Sequence, residues 1–120
     1  MKQFFKSRVF SFSNAFSGLF YVIRTQKNTW IHSLATIIVI FTAAILKVDP
    51  IEWVLLSIAI GLVWITETMN TSIELSIDLI TQKRNSLAKH AKDAGAAAVL
   101  ISAMIAVIIG LFVFVPYLFP

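Results

Sequence analysis

The chain has 120 residues, 58% of them hydrophobic and 13% charged, with ten Lys and Arg against six Asp and Glu and no cysteine. Soluble domains carry about 25% charged residues, and so short a chain cannot hide this much apolar side chain from water. The composition therefore excludes an ordinary soluble domain, a disulfide scaffold and a thiolate metal site. It leaves one all-α membrane domain spanning residues 1–120.

Residues 2–24 come first. Phe5, Val9, Phe12, Phe16, Leu19 and Ile23 recur at spacings of four and three, while Lys2, Lys6, Ser13, Asn14 and Ser17 lie mostly off that stripe. The pattern predicts an amphipathic helix lying in the membrane interface. A secretory signal is the competing reading, but polar residues interrupt the apolar stretch and no A-x-A-like cleavage site is evident.

Three predicted transmembrane helices follow. NTWIHSLATIIVIFTAAIL at 28–46 has no Asp, Glu, Lys or Arg and meets the ~20 residues a bilayer demands, giving a first span over 28–48. Pro50, in the first helical turn where proline is tolerated, opens a second helix over 50–81, of which only WVLLSIAIGLVWIT at 53–66 is uncharged. AGAAAVLISAMIAVIIGLFVFV at 94–115 is the longest clean run; it sets a third span over 91–115, which Pro116 is expected to stop.

Lys2, Lys6, Arg8, Arg24 and Lys27 precede the first span, and Lys83, Arg84, Lys89 and Lys92 lie between the second and third, leaving Lys47 alone in the other turn. This bias makes the basic side cytoplasmic. The expectation is a multi-pass protein of the cell membrane with its N-terminus in the cytoplasm and its C-terminus outside. The positive charge then reflects topology and anionic lipid, with no nucleic-acid partner required. Trp30, Trp53 and Tyr117 fit interfacial anchoring, and Trp64 near the inner edge is expected to do likewise. Ala98, Ser102, Ala106 and Gly110, four residues apart, form a small-residue stripe suited to close helix contact in a bundle or oligomer.

The second helix, unbroken to about residue 81, measures about 45–48 Å at 1.5 Å per residue, against a hydrocarbon core of ~30 Å. It must emerge on the cytoplasmic side. Glu67, Asn70, Glu74 and Asp78, spaced three, four and four apart, then share one face about 16 Å long. For Asp78 alone a solvated polar face is the simpler account. For Glu67 it is a poor one, because a carboxylate at the hydrocarbon edge is costly and marks function. Oxygen-only ligands suit a hard cation such as Mg²⁺. Lys92, at the start of the third helix, reads equally as a snorkelling lysine or as a point charge for phosphate oxygens. His32 reads as a hydrogen-bonded structural residue or as a proton carrier.

An interfacial carboxylate, a hard metal and a lysine together suit phosphoryl transfer, which needs charge neutralisation, alignment and activation of a hydroxyl. The hydroxyl would be a lipid's, since the base lies at headgroup depth. No G-x-x-x-x-G-K-[ST], H-R-D or D-F-G occurs, so neither a P-loop nor a protein-kinase site is present. A non-enzymatic proton or cation conduit, with Glu67, Glu74 and Asp78 as relays, is the alternative.

ETMNTSIELSID at 67–78 matches the pattern E-x-x-N-[ST]-[AS]-I-E-x-x-x-D of the small prokaryotic diacylglycerol kinase family, which includes the undecaprenol kinases. AKDAGAAAVL at 91–100 resembles that family's A-K-D-x-x-x-x-A-V-L element, and Asn28 to His32 resembles its N-x-x-x-H segment. The resemblance runs over nearly the whole chain. It implies a homotrimer with shared active sites, ATP as co-substrate with Mg²⁺, and a lipid alcohol, undecaprenol or diacylglycerol, as acceptor; the segments around N-x-x-x-H and IEW lean towards undecaprenol. It further implies Glu67 as general base, Asn70 as a catalytic-site residue, Glu74 as a metal ligand, and Glu67 with Ala96 at the lipid. Asp78, Lys83, Arg84, Asn85, Lys92 and Asp93 are implied at the nucleotide. One departure stands out: Gln26 occupies the place of a second metal-binding Glu. A neutral amide oxygen can still ligate Mg²⁺ without the carboxylate's charge. Either Glu74 and the phosphates hold the metal largely unaided, or the chain is an impaired homologue.

Overall fold

A computed structural model describes residues 2–119, with side chains from residue 7 onward. The side chains of Lys2, Phe5 and Lys6, used in the sequence reading above, lie outside the described residues. The described residues form four helices: α1 (Lys2–Thr25), α2 (Lys27–Leu46), α3 (Pro50–Ile80) and α4 (Ser86–Leu118).

Local sequence explains each boundary. One extended residue, Gln26 (φ −97°, ψ 119°), separates α1 from α2. The corner is closed by Thr29, which is fully buried and donates its hydroxyl to the Val22 carbonyl at 3.3 Å. α2 ends at Lys47 in the left-handed region (φ 53°). That conformation costs a non-glycine residue about 1–2 kcal/mol; burial of Ala43 and Val48 beside it offsets the strain. Asp49 then caps α3, its Oδ1 accepting from the amides of Ile51 at 2.8 Å and Glu52 at 2.9 Å, while Glu52 Oε2 accepts from the Asp49 amide. With Pro50 at the first helical position this is a full capping box.

α3 and α4 form an antiparallel hairpin. It is traced by Tyr117 against Glu52, Ser102 against Thr66, Gly95 against Asn70, and Lys92 against Asp78. α2 leans on this pair mainly at the end where Ala43, Val48, Leu56 and Val113 make the buried cluster. The turns at 47–49 and 81–85 lie at opposite ends, so Lys47 is separated from Lys83 and Arg84 by the length of α3.

Two expectations about α4 need correction. The helix starts at Ser86, not residue 91, because Asn85 caps it, accepting from the amides of Leu87 at 2.8 Å and Ala88 at 3.2 Å. It also runs through Pro116 to Leu118. A proline this near the end removes one hydrogen bond of the last turn, and the Phe119 amide still reaches the Val115 carbonyl at 3.0 Å.

α2, α3 and α4 are each long and apolar enough to cross a membrane, yet only 11%, 22% and 11% of their most apolar windows are buried within the chain. Their outer faces, among them Ile37, Phe41, Leu100, Ile108 and Phe112, stay exposed and require a hydrocarbon or protein neighbour. Among the described side chains of α1, Val9, Phe12 and Phe16 of the stripe are uncovered and Phe10, off the stripe, equally so, while Val22 in the last turn is buried. Trp64 is half-buried and donates its indole N–H to Thr36 of α2 at 3.1 Å, linking the two helices.

Candidate functional site

The acidic stripe of α3 passes from the interior of the bundle to its surface. Glu67 is 2% exposed. It lies across from α2, with His32 Nε2 at 3.7 Å from its Oε2, and that oxygen has no hydrogen-bond partner among the described residues. One turn on, Thr71 is buried and donates its hydroxyl to the Glu67 carbonyl at 3.0 Å, keeping this stretch of α3 dry and regular.

Asn70 and Glu74 come next. The Asn70 amide nitrogen donates to Glu74 Oε1 at 3.3 Å, and Asn70 Oδ1 is buried without a partner. Gly95 of α4 makes this arrangement possible, since a Cβ there would collide with Asn70 Oδ1 and sit 3.4 Å from Asn70 Cγ. Sequence reasoning passed over Gly95; its only signal was a glycine inside the A-K-D element, at the start of an otherwise glycine-poor helix.

At the outer end of the stripe, Lys92 Nζ bonds Asp78 Oδ1 at 2.6 Å with both side chains partly in solvent. Asp93 pairs instead with Lys89 at 3.9 Å. Lys92 and Asp93, adjacent in sequence, thus diverge by the ~100° step of a helix. Lys83 and Arg84 are exposed in the connecting turn, where the Lys83 amide donates to Thr81 Oγ1 at 3.2 Å. Asn85 has its oxygen committed to the α4 cap. Ala96 is exposed beside Gly95, and Gln26 is half-buried at the α1–α2 corner with no capping bond from its side chain.

Below Glu67 an apolar groove of about 510 Å³ runs between α2 and the α3–α4 hairpin. Val39, Leu56, Ala59, Val63, Ala106 and Phe114 contribute to its walls, and His32 and Thr36 are its only polar lining side chains. Of the small-residue stripe of α4, Ser102 is buried against α3, its hydroxyl meeting that of Thr66 at 2.7 Å, while Ala98 is exposed and Ala106 and Gly110 line the groove.

Chemically, the stripe offers a dry carboxylate with a free oxygen, an amide oxygen aimed at nothing, a half-exposed carboxylate and a surface lysine. The donors are all oxygen, which fits a hard cation. No three His, Asp or Glu side chains converge among the described residues. Mg²⁺ commonly takes one or two protein ligands and completes its shell with water and phosphate oxygens, so the donors present fit that ion.

Comparison with known proteins converges on one family. The sequence pattern of the prokaryotic diacylglycerol kinases matches residues 13–114. The undecaprenol kinase of Bacillus subtilis (strain 168) is 40% identical over 118 residues, covering 98% of this chain and 93% of the relative. A diacylglycerol kinase of Synechocystis sp. is 41% identical over 101 residues, 83% of this chain and 58% of its own length. The diacylglycerol kinase of Escherichia coli (strain K12) is 41% identical over 75 residues, 62% of each chain.

Proposed function

The chain belongs to the prokaryotic diacylglycerol kinase family, and from that premise we propose that it is a multi-pass membrane lipid kinase that transfers the γ-phosphoryl group of ATP to the hydroxyl of a lipid alcohol, undecaprenol before diacylglycerol. The observation that carries the proposal is Glu67: nine-tenths and more buried, with an oxygen that nothing among the described residues satisfies. A carboxylate is kept in that condition at a membrane boundary for chemistry. Undecaprenol is favoured because the relative matched end to end is an undecaprenol kinase, whereas the two diacylglycerol kinases match over shorter stretches.

In this reading Glu67 Oε2 accepts the proton of the lipid hydroxyl as the hydroxyl oxygen attacks the γ-phosphorus of ATP, whose bond to the bridging oxygen breaks to release ADP. Asn70, held against Gly95, orients Glu74 through its amide N–H. Glu74, with Gln26 or phosphate oxygens completing the shell, would hold Mg²⁺, which neutralises triphosphate charge when bound. Lys92, tethered to Asp78, faces the phosphates, with Lys83, Arg84, Asn85 and Asp93 around the nucleotide and Ala96 beside the lipid. α1 lies in the cytoplasmic interface, the N-terminus is cytoplasmic, and the C-terminus is outside, in keeping with nine of the ten cationic residues lying towards one face. The uncovered apolar faces support assembly of copies, a homotrimer by family resemblance, with sites shared between subunits.

A proton conduit fits less well. Between Glu52 and Glu67, α3 carries no ionisable residue, and the groove below Glu67 is apolar apart from His32 and Thr36, so no polar path continues across the hydrocarbon. The test is an assay of the purified protein in lipid bilayers with Mg²⁺ and labelled ATP, offered undecaprenol and diacylglycerol separately. Label in undecaprenyl phosphate is the expected result. Label in phosphatidic acid alone reassigns the acceptor, and no label with either lipid refutes the kinase reading.

A further inference from the structure

Building on the kinase reading, we propose that His32 is a positioning residue for Glu67, its imidazole fixing the carboxylate so that Oε2 is presented to the lipid hydroxyl. Three observations converge on this. His32 Nε2 lies 3.7 Å from Glu67 Oε2, with the two side chains 17% and 3% exposed, so the contact is sheltered from water. The oxygen it faces is the one without a hydrogen-bond partner. At 3.7 Å the contact is longer than a hydrogen bond, a separation usual for catalytic groups before substrate draws them together.

The third observation concerns how His32 is held. Thr36, one turn further along α2, donates to the His32 carbonyl at 2.7 Å and accepts from Trp64 Nε1 at 3.1 Å. Trp64 stands one turn before Glu67 on α3. This side-chain hydrogen bond between the two helices lies one turn from the His32–Glu67 contact and helps to set its register. Beyond it the apolar groove lies between α2 and the hairpin, which close together again on the cluster of Ala43, Val48, Leu56 and Val113. The same groove makes the surroundings of His32 poorly polarisable, where an imidazole N–H acts on a carboxylate more strongly than in water. An apolar side chain at position 32 would remove the polar group that faces Glu67 Oε2 and leave the carboxylate free to turn.

The test uses the full chain in bilayers and measures kcat, the KM for each substrate and thermal unfolding. His32→Ala is expected to lower kcat roughly 10–100-fold, the range for residues that orient a reacting group through one contact, while the KM for ATP stays within about twofold. His32→Asn, which restores an N–H donor, recovers part of the loss. In a Glu67→Gln background His32→Ala adds less than about twofold, because the two act as a unit. Trp64→Phe, which removes the link without touching either group, reproduces the kcat loss in weaker form. A purely structural His32 gives the opposite pattern: lower unfolding temperature, unchanged kcat per folded molecule, no advantage of Asn over Ala, and equal losses in both backgrounds. That outcome overturns the proposal. If His32→Ala does not fold, unchanged kcat in His32→Asn and Trp64→Phe overturns it equally. Wild-type protein inactive on both lipids would instead sink the kinase reading, so the two failures are distinct.

Discussion

Replacing Gly95 with Ala separates geometry from stability at this site. The new Cβ would run into Asn70 Oδ1 but stand 3.7 Å from Asn70 Cα, an ordinary contact, so the backbones of α3 and α4 need not part. The obstacle is the end of a rotatable amide. Overpacking a rigid core costs about 1–3 kcal/mol; here the side chain turns away instead, and Ala in place of Gly inside a helix returns about 1 kcal/mol. The net stability change is expected to stay within about 1 kcal/mol.

Catalysis does not escape so lightly. To reach the 3.4 Å of normal contact, Oδ1 must retreat by about 1 Å, and the amide turns with it, breaking the 3.3 Å bond to Glu74 Oε1. A displacement of about 1 Å in a positioning group costs roughly 100-fold. The expected outcome is a kcat lowered about 10–100-fold at an unfolding temperature near that of wild type. Both are read on one preparation in bilayers, by label transfer from ATP to lipid and by thermal unfolding. Gly18→Ala, whose added Cβ meets nothing within 4 Å, is the control. A Gly95→Ala protein with wild-type kcat would refute the reasoning, since Asn70 would then have no positional role.

Three further substitutions probe the rest of the stripe. Glu67→Gln is expected to lower turnover by about 100-fold or more while leaving thermal stability near that of wild type, because the amide keeps the size and shape of the carboxyl group; retained turnover would remove Glu67 from the role of base. Lys92→Ala breaks the 2.6 Å pair with Asp78, which as a partly solvated pair contributes about 0–1 kcal/mol, so stability should barely move while the KM for ATP rises. An ATP titration giving an unchanged KM would show that Lys92 serves Asp78 alone. Gln26→Glu is expected to shift the Mg²⁺ dependence of activity to lower concentration; an identical Mg²⁺ titration would show that position 26 is not a ligand.

Much of the fold was legible because bilayer thickness converts directly into helix length. The runs at 28–46 and 94–115 could only be spans, and Asp49, Pro50 and Glu52 spell the start of α3 letter by letter. What misled at α4 was competition between uses of one residue type. Asn85 sits in a basic, nucleotide-like turn, so its capping role at Ser86 was hidden. Pro116 is a breaker by local rules, yet so near the helix end it interrupts little. Within the site, the shared face of Glu67, Asn70 and Glu74 followed from spacing alone. The meeting of His32 with Glu67, the Trp64–Thr36 link and the Gly95 approach depend on the register of one helix against another, which no local pattern states.

On the proposed function, the burial gradient along α3 would let one helix serve two substrates of opposite solubility. A long-chain alcohol brings its hydroxyl no further than the boundary of the hydrocarbon; a nucleoside triphosphate stays in water. Glu67 at 2% exposure answers the first, and the Asp78 side chain at 55% answers the second. Eleven residues of helix separate them, about 16 Å, with Asn70 and Glu74 half-buried between. A base left in water would be solvated and weakly oriented, and a lysine drawn into the hydrocarbon would lose its charge or its place. On the proposed function, a helix about 46 Å long in a hydrocarbon layer of about 30 Å would remove both conflicts, because its surplus length lets the nucleotide be held in water while its γ-phosphate reaches the boundary where Glu67 stands.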